Sequence, residues 1–278
     1  VRYKATQMNQ AIDAINSTGF GLTSGVHSRI ETTCNTFTKK IKAGNIYVNR
    51  NTIGAVVGVQ PFGGHGLSGT GPKAGGPAYI YRLSHLPSNA AQQAWQGDVN
   101  FCGGNTTRQI QAWLAQDKTS WSNLDVKQRA EGVKLWIEAL TSEAMSPLPS
   151  TLKSQIDTMI SEALATQSCA MTLPGPTGEL NQLVIEARGS LLCLQHGDEN
   201  IAASTRQIAA ALLCGNSVVH ASNSSFEFTP RMKAAGIHHA YERVSLNSKK
   251  ALQEILLSPS LKGVAICGPL ELVKLADN

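Results

Sequence analysis

The residues best suited to chemistry in this 278-residue chain lie in a glycine-rich segment that follows a short apolar run. Gly54 carries no side chain and Ala55 carries only a methyl group, so an anion can approach their backbone N–H groups directly. Successive N–H groups of this kind can form an anion-binding concavity without a lysine. A carboxylate is therefore a candidate ligand of Gly54 and Ala55, although the spacing taken alone favours a simple turn at Gly54.

Other polar residues of this region allow weaker hypotheses. Lys73 and His65 could serve as a charge partner or a base, but a solvated side chain is the default in a surface loop, and we assign them no role. Asn49 precedes the loop and could orient it through side-chain hydrogen bonds to the backbone. Gly63 and Gly64 allow the loop to bend, for a structural or a functional reason.

A covalent nucleophile would have to be one of six scattered cysteines, namely Cys34, Cys102, Cys169, Cys193, Cys214 and Cys267. Most lie in apolar stretches and are more typical of a protein core than of a reactive thiol. Cys102 is the one in a flexible setting. No C-x-x-C pair is present, which disfavours a metal site or a disulfide and is typical of reduced cysteines in the cytosol.

Periodicity predicts the elements that position these residues. We expect a helix over 7–16, a strand over 20–26, a second helix ended by Gly44 and a strand over 45–49. Ser28 and Glu31 have the spacing of a capping box at the start of the second helix. A right-handed crossover would make the two strands parallel, and the glycine-rich loop over 51–81 would then leave the carboxyl end of a strand, where open α/β sheets bind ligands.

In the rest of the chain, the sequence pattern predicts a helical region followed by a second α/β unit. Helical spacing dominates after Pro87, and turn residues over 173–178 suggest a boundary. Strands over 190–194, 217–220 and 263–267 then alternate with helices over 201–214 and 248–257, as in a doubly wound sheet. The predicted domains are 1–86, 87–172 and 173–278.

Four segments carry a resemblance to a known family: Gly44-Asn-Ile-Tyr-Val-Asn49, Arg50-Asn-Thr-Ile-Gly-Ala55, Val59-Gln-Pro-Phe-Gly-Gly64 and Gly66-Leu-Ser-Gly-Thr-Gly-Pro-Lys-Ala-Gly-Gly-Pro77. Over about residues 1–85 the chain closely resembles the tail of the aldehyde dehydrogenase fold. More narrowly, it resembles the L-glutamate γ-semialdehyde dehydrogenase of bifunctional proline utilization A proteins. The resemblance implies that the loop is the substrate anchor, in which Gly54 and Ala55 hold the α-carboxylate and Phe62 packs on the aliphatic chain.

The resemblance also implies the chemistry of a larger enzyme. Such enzymes use a cysteine thiolate to attack the aldehyde, NAD to accept a hydride and a carboxylate to activate water. The family places the nucleophile, the base and most of the NAD site upstream of this loop. A proline dehydrogenase half with its FAD is likewise implied for the parent protein and lies outside this chain.

The C-terminal unit resembles a dehydrogenase NAD-binding domain that has lost its site. Residues 188–194 and 207–219 are similar to the first strand, helix and second strand of that domain. The family then has a lysine for the adenosine ribose, whereas this chain has His220, and no G-x-G-x-x-G follows the first strand. The unit is similar to the C-terminal domain of longer proline utilization A proteins, which keeps the fold without activity and covers the neighbouring catalytic machinery.

Composition excludes several other classes of protein. The chain is 42% hydrophobic and 15% charged, as globular domains are, and no apolar run reaches the roughly 18 residues of a membrane span. Residues 1–90 hold 9 Lys and Arg against 2 Asp and Glu. These charges are dispersed and aromatics are scarce, so solvated surface or an anionic small substrate fits better than nucleic acid. With no export signal visible, we expect a cytoplasmic protein.

Two functional hypotheses remain. The first is a part of an NAD-dependent L-glutamate γ-semialdehyde dehydrogenase that supplies the substrate anchor and a covering domain, bound to the rest of its polypeptide and able to form a homo-oligomer. The second is a non-catalytic interaction or oligomerisation module. The first predicts that this chain alone is inactive.

Overall fold

The computed structural model describes residues 3–69, 71–83, 107–116, 119–142, 148–245 and 249–268. The chain forms two compact units: Val1–Ser88 with Met171–Leu183 (unit 1), and Asn89–Ala170 with Val184–Asn278 (unit 2). Residues 171–183 thus lie with the N-terminal unit. The division into three domains at 86 and 172 stays a prediction.

Unit 1 is a small α/β arrangement around one apolar cluster. Its elements are a 3-10 turn Ala5–Gln7, α1 Met8–Asn16, β1 Phe20–Gly21, β2 Thr23–Val26, α2 Glu31–Lys40, β3 Asn45–Val48, β4 His65–Gly66, α3 Tyr79–Leu83, β5 Met171–Leu173 and β6 Asn181–Leu183. Ile12 of α1 packs with Phe37 and Ile41, and all three are buried. These contacts join α1 to α2, as the helical spacing of apolar residues predicted.

The predicted parallel pairing of two strands is confirmed, although the first strand is interrupted. β2 pairs parallel with β3 in the register Thr23 to Asn45. The expected strand over 20–26 is instead two strands, because Phe20 and Gly21 form a separate antiparallel pair with β4. Leu22 lies between them, and its carbonyl accepts a hydrogen bond from the backbone N–H of Asn45 at 3.1 Å.

The predicted capping box of α2 is wrong. The residue before the helix is Ile30, which has no side-chain cap, and the hydroxyl of Ser28 accepts instead from the backbone N–H of Ile30 at 3.0 Å. The helix also ends before Gly44, because Ile41 already has extended backbone angles. The side chain of Asn16 bonds the carbonyl of Lys40 and the N–H of Lys42 and so replaces the helical hydrogen bonds there.

Unit 2 combines helices with one parallel sheet. Its elements are α4 Thr107–Leu114, α5 Thr119–Ser122, α6 Val126–Thr141, α7 Leu152–Gln167, β7 Ser190–Gln195, a 3-10 turn Asp198–Asn200, α8 Ile201–Leu213, β8 Ser217–Ser222, α9 Thr229–Ala234, a 3-10 turn His238–Ala240, β9 Tyr241–Val244, α10 Lys249–Leu256 and β10 Leu261–Cys267. The strand order is β10-β7-β8-β9, all parallel.

Both faces of this sheet are covered, as the predicted doubly wound arrangement requires. Cys193 and Val218 pack in one apolar cluster with residues of α6, α7, α8 and α9. Leu192 and Val219, which alternate with them, pack in a second cluster with α4 and α10. The sequence patterns missed β9 and α9, which are short. Among the described residues, no helix is long and apolar enough to cross a membrane.

Candidate functional site

The segment after β3 holds Gly54 in a conformation that favours glycine. Its φ is +112°, a value that side-chain-bearing residues rarely adopt. The hydroxyl of Tyr47, a buried residue of β3, donates to the carbonyl oxygen of Gly54 at 2.9 Å. The strand therefore fixes the position of this peptide group through a side chain.

The peptide group between Gly54 and Ala55 has a hydrogen-bonded carbonyl and an N–H group without an acceptor among the described residues. Within the described residues, the N–H groups of Gly54 and Ala55 donate to no acceptor, and both residues are exposed. No described peptide bond is cis, so the N–H of Ala55 points away from the Gly54 carbonyl that Tyr47 binds. An acceptor group such as a carboxylate can therefore reach this N–H.

Phe62, the third predicted site residue, lies where the loop returns. The chain turns over 56–60, where the N–H of Gln60 donates to the Val56 carbonyl at 2.8 Å. Phe62 then exchanges two backbone hydrogen bonds with Ala74, at 3.0 and 2.8 Å, and its side chain is half-buried. The turn brings Gln60, two residues before Phe62, close to Gly54. Contact of the Phe62 ring with a substrate stays a prediction.

The base of the loop is held by Lys73, for which we had expected a solvated side chain. That expectation is wrong, because the ammonium group donates to the carbonyls of Gly44 and Gly63 and to the side-chain oxygen of Asn45. Burial lowers the pKa of Lys73 below its ordinary value. A Cβ on Gly44 would overlap the Gly63 carbonyl oxygen, so glycine is required for this close backbone crossing.

Asn49 and His65 do not orient the peptide group between Gly54 and Ala55. The side chain of Asn49 bonds the N–H and the carbonyl of Ser28 at 2.9 and 3.0 Å. It forms side-chain bonds to the backbone, as expected, but they join the end of β3 to the residues before α2 and not to the glycine-rich loop. His65 is exposed in β4, where it pairs with Gly21.

An ion pair lies close to the peptide group between Gly54 and Ala55. Arg50 directly follows Asn49, and its guanidinium forms an ion pair with Glu179 at 2.7 Å between Nη1 and Oε1. The same guanidinium lies over the ring of Tyr47, 5.4 Å from its centroid. Glu179 belongs to the connection between β5 and β6, and nothing in the local sequence predicted its proximity to Arg50.

Two of the described cysteines, Cys193 and Cys267, have a raised pKa, whereas a nucleophilic cysteine needs a lowered one. Burial, with the neighbouring Cys267, raises the pKa of Cys193 to about 12, and burial raises that of Cys267 to about 11. Cys34 is buried on α2 as predicted, Cys214 is half-buried and Cys169 is exposed. Cys102 lies outside the described residues. No group of three or more His, Cys, Asp and Glu in the described part of the chain could hold a metal ion.

The residue that replaces the expected ribose lysine is a core residue. His220 is fully buried, and its ring nitrogens contact the Tyr241 hydroxyl at 2.7 Å, the Gln195 oxygen at 3.0 Å and the Ser204 hydroxyl at 3.2 Å. Burial, and secondarily the charge of Arg243, lowers the pKa of His220 to about 3. His220 is therefore neutral at physiological pH and is enclosed by protein groups.

The turn after β7, where a dinucleotide fold binds pyrophosphate, carries a carboxylate. Asp198 accepts hydrogen bonds from the N–H and the hydroxyl of Ser225, both at 2.9 Å, and from the hydroxyl of Ser224. These bonds, those from the side chains first, lower the pKa of Asp198. A fixed negative charge here repels a phosphate. Asp198 therefore disfavours a bound pyrophosphate at this turn.

Comparison with known proteins identifies the class. Residues 1–86 match the model of the aldehyde dehydrogenase family. A 1-pyrroline-5-carboxylate dehydrogenase from a Geobacillus species is 44% identical over 90 residues, which are 32% of this chain and 17% of that protein. The glycine-rich loop thus lies within the segment that matches this family model.

The similarity extends beyond this segment to bifunctional proteins. The bifunctional protein PutA of Klebsiella aerogenes is 39% identical over 220 residues, or 79% of this chain. An alignment of this length extends well beyond residues 1–86. The chain spans only 15% of that relative. A solved structure of proline utilization A (PutA) with proline bound in remote sites matches 63% of this chain and 21% of its own, with a TM-score of 0.51 and 20% identity. That likeness shows the fold.

Proposed function

We propose that this chain supplies the substrate anchor of an NAD-dependent L-glutamate γ-semialdehyde dehydrogenase, which oxidises the semialdehyde to glutamate in proline catabolism. Gly54 and Ala55 bind the α-carboxylate of the substrate through their N–H groups, and Phe62 packs on its methylene groups. The names of the relatives, a 1-pyrroline-5-carboxylate dehydrogenase and bifunctional PutA proteins, support this assignment.

The peptide group between Gly54 and Ala55 is the observation that supports the proposal most directly. Its carbonyl is bound by Tyr47, whereas its N–H has no acceptor among the described residues. A donor held in place before the ligand arrives loses little entropy on binding. A hydrogen bond to the carbonyl also polarises the peptide and strengthens the N–H as a donor.

The remaining chemistry of the reaction belongs to other parts of the protein. NAD accepts the hydride in such an enzyme, and no described residue of this chain is assigned to it. We place the thiolate, the general base and the NAD site in the rest of the polypeptide, and FAD in its proline dehydrogenase part. We also propose a cytoplasmic location, which the free thiols of the described cysteines support.

Unit 2 supports the second hypothesis in a restricted form. We propose that it is a non-catalytic interaction module within the same protein. The buried His220 and the hydrogen-bonded carboxylate of Asp198 support this role, because they stand where a working dinucleotide site would have polar ligands. We propose that this unit covers the catalytic part of the protein and that it contributes to self-association.

Substitution Ala55→Asp in the complete polypeptide tests the proposed anchor. It places a carboxylate next to the position of the substrate carboxylate, so we expect KM for glutamate semialdehyde to rise about tenfold or more with a smaller change in kcat. Ala165→Asp, which changes an exposed alanine of α7, is the matched control. An unchanged KM in Ala55→Asp would remove the anchor from the proposal.

A further inference from the structure

The connection between β5 and β6 places the carboxylate of Glu179 beside Arg50, close to the peptide group between Gly54 and Ala55, here called the anchor peptide. β5 and β6 pair antiparallel from Met171 with Leu183 to Leu173 with Asn181, and they belong to unit 1. The chain on both sides of this hairpin belongs to unit 2. The hairpin connection is itself ordered by the N–H of Glu179, which donates to the Pro176 carbonyl at 3.1 Å.

Glu179 makes more than an ordinary surface ion pair with Arg50. Each side chain is only 30% exposed, and the Nη1 to Oε1 distance of 2.7 Å is that of a charge-assisted hydrogen bond. Exposed ion pairs usually contribute little, because water screens them and both side chains are mobile. Here the guanidinium is also held against the ring of Tyr47, which restricts it.

Gln60 connects this ion pair to the anchor peptide. With its amide nitrogen towards Glu179, the distance to Oε2 is 3.3 Å. With the amide turned by 180°, the nitrogen donates to the Gly54 carbonyl at 3.3 Å and the oxygen accepts from Arg50. The turned orientation satisfies both amide atoms and is the one we adopt. The Gly54 carbonyl then accepts from both Tyr47 and Gln60.

We propose that Glu179 is a positioning residue for the substrate anchor. It orients Arg50, which orients the Gln60 amide and the Tyr47 ring, and these two donors fix the Gly54 carbonyl. Because the peptide group is planar, fixing the carbonyl fixes the direction of the Ala55 N–H. The hairpin over 171–183 thereby sets the affinity for carboxylate-bearing aldehydes. This inference rests on the proposed function of the anchor.

The test uses Glu179→Gln in the complete polypeptide, with Glu186→Gln as the matched control because Glu186 is exposed. The first measurement is amide hydrogen exchange over 56–62 on the millisecond scale. The N–H groups of Gly58, Val59 and Gln60 are hydrogen-bonded in this segment, and we expect them to exchange several-fold faster in Glu179→Gln. This measurement requires no catalytic activity.

The second measurement compares two substrates. We expect KM for glutamate semialdehyde to rise about three- to tenfold in Glu179→Gln with kcat nearly unchanged, and KM for butanal, which lacks the carboxylate, to stay constant. Arg50→Gln should give the same pattern. The double variant should be no worse than the more affected single variant, because both act through one chain of contacts.

The outcomes separate this inference from the function on which it rests. Unchanged exchange over 56–62 overturns the positioning role whatever the kinetics show. Faster exchange with an unchanged KM overturns it as well, and if Ala55→Asp still raises KM, the anchor itself stands. If neither Ala55→Asp nor Glu179→Gln raises KM, the proposed function fails and the positioning role fails with it.

Discussion

The hydroxyl of Tyr47 donates a hydrogen bond of 2.9 Å to the carbonyl oxygen of Gly54. Tyr47 is a buried residue of β3, whereas Gly54 is exposed and has a φ of +112°. An irregular loop is thus fixed to a regular strand at the peptide group whose other end is proposed to bind substrate. The phenol group of Tyr47 is thus one of the contacts on which the conformation of this peptide group depends.

Tyr47→Phe should weaken the anchor without removing the ring that Arg50 contacts. Loss of a hydrogen bond of this kind costs about 1 kcal/mol, so we expect KM for glutamate semialdehyde to rise about fivefold and kcat to change little. Steady-state kinetics of the complete polypeptide measure the effect, with the exposed Tyr3→Phe as control. Equal KM values for the wild type and Tyr47→Phe would contradict the role of the hydroxyl.

Gly44→Ala should destabilise unit 1 more than Gly58→Ala does. At Gly44 a methyl group overlaps the Gly63 carbonyl, so the backbone must move. At Gly58 nothing lies within 4 Å of the new Cβ, and only the positive φ of 75° costs energy, about 1–2 kcal/mol.

Proteolysis in urea within residues 1–88 measures the stability of unit 1 separately. All four tryptophans lie in unit 2, at 95, 113, 121 and 136, so their fluorescence checks that unit 2 is unaffected. If Gly58→Ala proves the more damaging substitution, the close crossing at Gly44 does not control this unit.

His220 should make unit 2 sensitive to acid. Its pKa is about 3 in the folded chain against 6.5 as the ordinary value, so protons bind the unfolded chain more tightly. The corresponding stability is fully present above pH 6.5 and is lost as pH falls towards 3, at about 1.4 kcal/mol per pH unit. Between pH 7 and pH 5 we expect a loss of about 2 kcal/mol from this residue.

Urea unfolding followed by tryptophan fluorescence at pH 7 and pH 5 measures this loss. The variant His220→Gln cannot titrate, and its stability should depend less on pH by that amount. His65→Gln removes an exposed histidine and should leave the dependence of unit 2 as it is. Identical pH dependence in His220→Gln and the wild type would show that His220 does not titrate in this range.

The purified 278-residue chain should show no dehydrogenase turnover. Burial raises the pKa of the Cys193 and Cys267 thiols, and Asp198 places a carboxylate at the turn where a dinucleotide fold binds pyrophosphate. Formation of NADH from glutamate semialdehyde, followed by absorbance, measures turnover. If NADH did appear, the prediction would be wrong, and the variant Cys102→Ser would show whether the cysteine outside the described residues acts as nucleophile.

Local patterns in the sequence determined most of the secondary structure. Apolar residues at helical spacing predicted α1, α2 and the helices of unit 2 except α9, and short β-rich runs predicted the parallel pair β2 and β3. Glycine content predicted that the segment after β3 is irregular. These features depend on neighbours within a few residues, which a sequence shows directly.

Contacts between distant residues were decided by the tertiary structure. Lys73 was expected in solvent but binds the carbonyls of Gly44 and Gly63, because the loop folds back over the start of β3. The expected single strand is divided because Phe20 and Gly21 pair with β4. Arg50 meets Glu179 across 129 positions of sequence.

The physical reason is the range of the interactions. A helix or a strand is selected by propensities that act over one or two turns of chain, and the residue types record them. The partner of a charged group or a carbonyl is selected by which distant segments fold together and by which hydrogen bonds remain to be satisfied there. The sequence by itself therefore determined that a glycine-rich loop follows a short strand, and only the folded chain decided which side chains hold the peptide group between Gly54 and Ala55 in place.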